Sequence, residues 1–162
     1  MTHYRSHSRN KNVMPLEILI RYLHFISLFA LSAALLAQAF LLRPEMTRRE
    51  IAQIQRVDIL YAVMVVLVLG TGFAQWFWVG KPSQFYSSNP IFHAKLTLFL
   101  IIGLLSAWPS VFLGKQRKGD SKETVKVPKG VILSVRAEVL LLILMPLLAS
   151  LMAKGVGIPA NG

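Results

Sequence analysis

The chain has 162 residues, 54% of them hydrophobic and only 15% charged. Soluble domains carry about 25% charged residues, so a soluble globular fold is excluded, and the length leaves room for one domain. Eighteen Lys and Arg against seven Asp and Glu give a formal charge of +11, but the basic residues fall between long apolar runs. That is the pattern of membrane loops and not of a nucleic-acid surface. With no cysteine, disulfides, iron–sulfur clusters, c-type haem attachment and thiolate metal sites are also excluded.

Four apolar stretches follow in chain order, at 16–42, 59–80, 91–114 and 131–153. Each supplies the about 20 helical residues needed to cross a hydrocarbon core of about 30 Å. Pro15, Pro44, Pro82, Pro90, Pro128 and Pro159 punctuate the connections and tails. Only Pro109 and Pro146 lie inside spans, where neighbouring helices can satisfy the freed carbonyls. Connections of about 16, 10 and 16 residues make successive helices antiparallel neighbours. The expectation is an all-α integral membrane protein, an antiparallel four-helix transmembrane bundle at 16–153 between an N-terminal tail (1–15) and a C-terminal tail (154–162).

The first span has a basic preface (Arg5, Arg9, Lys11) and an Ala37-Gln38-Ala39 that imitates a cleavage site. Its apolar stretch of about 27 residues exceeds the about 7–15 of a secretory signal, so it reads as a retained span. The first and third connections hold ten basic residues: Arg43, Arg48, Arg49 and Arg56, then Lys115, Arg117, Lys118, Lys122, Lys126 and Lys129. Five lie elsewhere outside the spans, which puts the two basic loops in the cytoplasm and both termini outside. The third connection also reads as a contact for anionic lipid.

Glu17, Arg21, His24, His93, Lys95, Arg136 and Glu138 sit within or at the rims of spans, and Asp58 just before the second. Ionisable groups there are costly and mark candidate sites. Glu17, Arg136 and Glu138 lie within about two turns of an interface, close enough to snorkel. His24 is about eight residues, or about 12 Å, inside its span. At 100° per residue, Glu17, Arg21, His24, Ser27 and Gln38 share an arc of about 120° that faces the other helices. On the third span His93 shares a face with Thr97, Leu100, Leu104 and Trp108, which reads as a pocket wall. Lys95, about 200° round from it, points to the outer surface or to an anionic group between helices.

Spans one and three run the same way, so His24 and His93 lie in the same half of the bilayer, offset by about 8–9 Å. Imidazole is a common axial ligand of haem iron and bundle cores hold cofactors, which makes His24 and His93 candidate metal ligands. Either both bind one haem, or one binds while the other meets a propionate or donates a proton. Arg21 and Lys95, and after them Arg43, are the candidate anion partners. The bland alternative is that these groups only bond one another and hold helices together. Zinc or copper fits less well, with two His, no Cys and the carboxylates elsewhere. Trp76, Phe77, Trp78, Phe85 and Tyr86 read as an interfacial belt. Gly70-Thr71-Gly72 and Gly103 read as close-approach points for a helix or a flat cofactor.

The segments Arg21-Tyr22-Leu23-His24-Phe25, Leu41-Leu42-Arg43-Pro44-Glu45, Arg56-Val57-Asp58-Ile59-Leu60-Tyr61 and Asn89-Pro90-Ile91-Phe92-His93-Ala94-Lys95-Leu96 form a pattern. With Arg136-Ala137-Glu138 and Leu151-Met152-Ala153-Lys154-Gly155, it resembles an uncharacterised family of predicted four-helix bacterial membrane proteins. A more distant resemblance is to the membrane-embedded, haem-b protoporphyrinogen oxidase of bacteria. It rests on His24, Arg43, Arg56 with Tyr61, His93-Ala94-Lys95-Leu96, and Arg136 with Glu138. That resemblance implies haem b on His24 or His93, with Lys95 and the arginines toward carboxylates of haem or of a tetrapyrrole substrate.

The resulting expectation is a haem-b-binding redox protein of the bacterial inner membrane that oxidises a porphyrinogen-like or quinol substrate. Its partners would be the lipid bilayer, a redox partner or quinone and further copies of itself, but no nucleic acid. The alternatives are a non-catalytic membrane subunit or assembly factor with structural buried charges, and a copper-handling protein like the copper-resistance membrane domains.

Overall fold

The computed structural model describes residues 13–79 and 83–157. Arg5, Arg9, Lys11, Lys81, Pro82 and Pro159 lie outside the described residues. Four long helices dominate: α1 (Val13–Leu41), α2 (Arg48–Ala74), α4 (Pro90–Gln116) and α5 (Lys129–Ala153). Alpha-helix α2 runs on through a π-helical turn, Gln75–Val79, and a short α3 (Ser83–Ser87) leads into α4. All four long helices are long and apolar enough to cross a membrane.

The second helix starts well before the apolar run expected at 59. Thr47 accepts a bond from the Glu50 backbone N–H while the Glu50 carboxylate accepts from the Thr47 backbone, a reciprocal capping box. About three turns of mixed polarity therefore precede the apolar stretch, and the first connection shrinks to residues 42–47. Part of it pairs with the third connection. Strands β1 (Glu45–Thr47) and β2 (Thr124–Lys126) form an antiparallel ribbon in the register Glu45↔Lys126, Met46↔Val125 and Thr47↔Thr124. The expected loops are thus joined by backbone hydrogen bonds. At the other end Asn89, wholly buried, caps α4 through the Ile91 N–H with Pro90 as its first residue.

Helix α1 packs along α2 and α4 along α5; α2 against α4 and α1 against α5 close the ring. Helices α1 and α4 are diagonal, as are α2 and α5, which is the expected up-and-down bundle. The core holds Leu31, Leu35, Ile51, Ile54, Ile102, Leu113, Val131 and Val135. Large apolar side chains also face outward, with Phe40 83% and Phe29 71% exposed. An outward face this apolar needs hydrocarbon as its solvent, and the protein is an integral membrane protein.

Candidate functional site

At the end of the bundle away from the ribbon the helices part around a cavity of about 500 Å³. Its walls come from all four helices and the π-helical turn: Phe25, Leu28 and Phe29 of α1, Val68, Leu69, Gly72 and Phe73 of α2, Trp76, Phe92, Leu96 and Phe99, then Met145, Pro146 and Met152 of α5. The volume suits a ligand of drug or cofactor size, and the lining is apolar with few polar groups, as binding cavities are. Trp76 meets Phe92 edge-on, with ring centroids 4.7 Å apart, and Tyr86 tilts against Phe92 at 5.4 Å. The π-helical turn carries Trp76, and such turns shift the following side chains around the helix.

The polar members of the lining are His24, Gln75, Tyr86, Lys95 and Ser150. His24 Nδ1 lies 2.9 Å from Thr71 Oγ1. The Thr71 hydroxyl also lies 2.6 Å from the Leu67 carbonyl, so it ties the imidazole to the backbone of α2. The ring also lies close to Gly72, where a Cβ would stand 3.5 Å from His24 Cε1, in ordinary contact. Lys95, on the diagonal helix, brings an ammonium into the lining, and no carboxylate pairs with it among the described residues. Trp76 supplies a buried indole N–H with no acceptor.

The other expected site residues lie elsewhere. His93 is exposed and its Nε2 sits 2.8 Å from the Ser87 carbonyl; its ring does not line the cavity. Of the two histidines, His24 alone lines the cavity. The face of α4 expected as a pocket wall (His93, Thr97, Leu100, Leu104, Trp108) is exposed, and the inward face carries Phe92, Lys95, Phe99 and Ile102. Trp108 instead lies over Gly130 at the other end. Arg21 is exposed and pairs with Glu17 one turn away. Arg43 pairs with Glu50 beside the ribbon. Of the proposed arc on α1, His24, Ser27 and Gln38 turn inward, while Glu17 and Arg21 do not.

A second polar cluster lies between the cavity and the ribbon. Asp58 Oδ1 accepts from Ser110 Oγ at 2.9 Å and from Gln38 Nε2 at 3.4 Å, joining α1, α2 and α4. Tyr61, one turn further along α2, donates to Glu138 Oε2 of α5 at 3.3 Å. Glu138 was expected near an interface and Asp58 ahead of its span; both are buried inside the bundle, and α2 begins well before its apolar run. Met64, Val65 and Val68 lie on α2 between Tyr61 and Thr71, so apolar packing separates the two polar sites.

A family model described as a predicted membrane protein, DUF2214, matches residues 16–157. The chain belongs to this family. No curated protein and no solved structure matches. In this DUF2214 member the matched residues take in both polar sites, the ribbon and all four spans.

Proposed function

We propose that the cavity binds haem b through His24 and that the protein is a membrane redox protein. The observation that carries the reading is the anchored imidazole: His24 lines the cavity while its Nδ1 lies 2.9 Å from Thr71 Oγ1, the kind of second partner that metal-bound histidines have. The flat aromatic walls and the volume suit a planar, apolar ring system. Lys95 suits the acid groups such a ring carries. Bound there, haem would supply one-electron chemistry. The chain's own part is to ligate from the α1 side, to hold the acid groups and to keep water from the ring.

This reading extends to a porphyrinogen-like or quinol substrate arriving from the bilayer, with a quinone or another redox partner taking the electrons. The basic ribbon end faces the cytoplasm of a bacterial inner membrane and both termini lie outside, on the charge asymmetry of the loops. Absorbance of the detergent-solubilised protein, oxidised and then dithionite-reduced, tests the site. A Soret band is expected that His24→Ala abolishes, Lys95→Ala weakens and His93→Ala leaves in place. No band after expression with haem supplied, or an equal band in His24→Ala, would overturn the proposal.

The second reading, a non-catalytic membrane subunit, is favoured by the Gln38–Asp58–Ser110 link across three helices. It expects normal folding without cofactor and a co-purifying partner. The copper alternative needs converging ligands, and among the described residues no three His, Asp or Glu form such a group.

A further inference from the structure

Asp58 and Glu138 are 4% and 1% exposed, and they stand apart from the cavity. Every side chain that meets them is neutral: Gln38 of α1, Tyr61 of α2 and Ser110 of α4. Arg56 and Arg136, two residues away on the same helices, are exposed and lie about 200° round. The three ion pairs among the described residues involve neither acid. Two carboxylates thus share the interior with no side-chain cation to balance them, a costly arrangement inside a membrane.

The cluster is also rich in acceptors and poor in donors. Both donors to Asp58 go to Oδ1. Glu138 Oε1 is buried without a partner, and so is Gln55 Oε1. Gln55 lies one turn from Asp58 on the same face of α2 and is itself buried. It points at α4 near Gly114, one turn from the Ser110 that bonds Asp58. Unused oxygens beside unbalanced carboxylates ask for a cation. A divalent ion takes six or more oxygens with several carboxylates among them, and no group of three acidic or imidazole side chains exists among the described residues.

We infer that the Asp58–Glu138 pair is a binding site for a small monovalent cation, the proton or Na⁺, enclosed by the bundle. The cation supplies the positive charge that no side chain provides and a contact for the idle oxygens. Gln55 and Gln38 extend the site toward the ribbon end, away from the cavity, so the inference does not depend on haem.

Infrared spectra of the full-length protein in lipid nanodiscs test it, in H₂O and D₂O, in Na⁺-free buffer at neutral pH and then with NaCl added. The chain has seven acidic residues, and the other five are not buried, so a carboxylic-acid C=O band at neutral pH reads this pair. The band is expected in Na⁺-free buffer, shifted by D₂O and lost in Glu138→Gln or Asp58→Asn. If Na⁺ is the occupant, NaCl removes the band and releases protons to an indicator dye; if the proton is, NaCl leaves it unchanged. A missing band with no response to NaCl, or a full band in both variants, would overturn the inference. Should the variants not fold, the wild-type spectra and their NaCl response decide alone.

Discussion

The two halves of the bundle use the same four helices in opposite ways. Toward the ribbon, Leu35, Ile51, Ile54, Leu113, Val131 and Val135 pack closely, and the polar groups bond across helices behind them. Away from the ribbon the helices part, aromatic rings line the gap, and His24 and Lys95 belong to its wall. The polar groups of the closed half meet other side chains across helices; His24 and Lys95 border open volume.

The largest effect that tests this contrast is expected from Leu35→Ala. Leu35 is fully buried in the closed half, and its loss should cost about 2–5 kcal/mol through lost packing and a new void. Leu28→Ala only enlarges the existing cavity and should cost clearly less. Thermal unfolding in one detergent compares them, and equal losses would erase the distinction between the halves. Next comes Gly72→Val, whose branches press on the His24 ring 3.5 Å from the first added carbon. It should abolish the Soret band with little change in melting temperature. Gly70→Val, with nothing within 4 Å, should change neither.

A smaller loss, about 1 kcal/mol, is expected for Thr47→Ala, which removes the cap of α2 beside the ribbon. The smallest effect concerns pH. Arg48 bonds both Glu123 oxygens and the Gln116 carbonyl, and its guanidinium holds the Glu123 carboxyl below the usual carboxylate range. A carboxyl depressed in the folded state adds stability that is complete above its unfolded value and lost as pH falls through the folded one. Melting temperature should therefore drop slightly on acidification through that window, and the drop should shrink in Glu123→Gln, leaving the part owed to Glu50, whose carboxyl the Thr47 backbone and hydroxyl hold low. The pair is exposed, so the effect is small and sensitive to salt.

The four spans and their antiparallel order are legible in the sequence, because twenty apolar residues between prolines leave a membrane chain few other choices. Which face of each span turns inward is not. A helix that meets lipid on one side and the core on the other is apolar all round, so α4 offers no stripe, and the inward face belongs to Lys95 and not to His93. His24 was legible, since polar neighbours on α1 share its arc. Asp58 was placed ahead of its span because the start was set at the first apolar residue; the Thr47-Arg48-Arg49-Glu50 capping signature carries the true start of α2. The ribbon carries no local signal strong enough to read, since three-residue strands owe their pairing to the helices that bring them together.

The connectivity sets where the wall around the cavity can give way. The hairpin of α1 and α2 is clipped to that of α4 and α5 by the ribbon at one rim, and the chain itself ties α2 to α4 at the other. Asn89 adds a buried bond to the Val156 carbonyl, fastening the end of α5 to the start of α4. Between α1 and α5 there is packing but, among the described residues, neither loop nor ribbon, so that seam is held by side-chain contact alone. It is the one edge of the cavity wall whose parting would stretch no connection, and it opens on lipid, not on water.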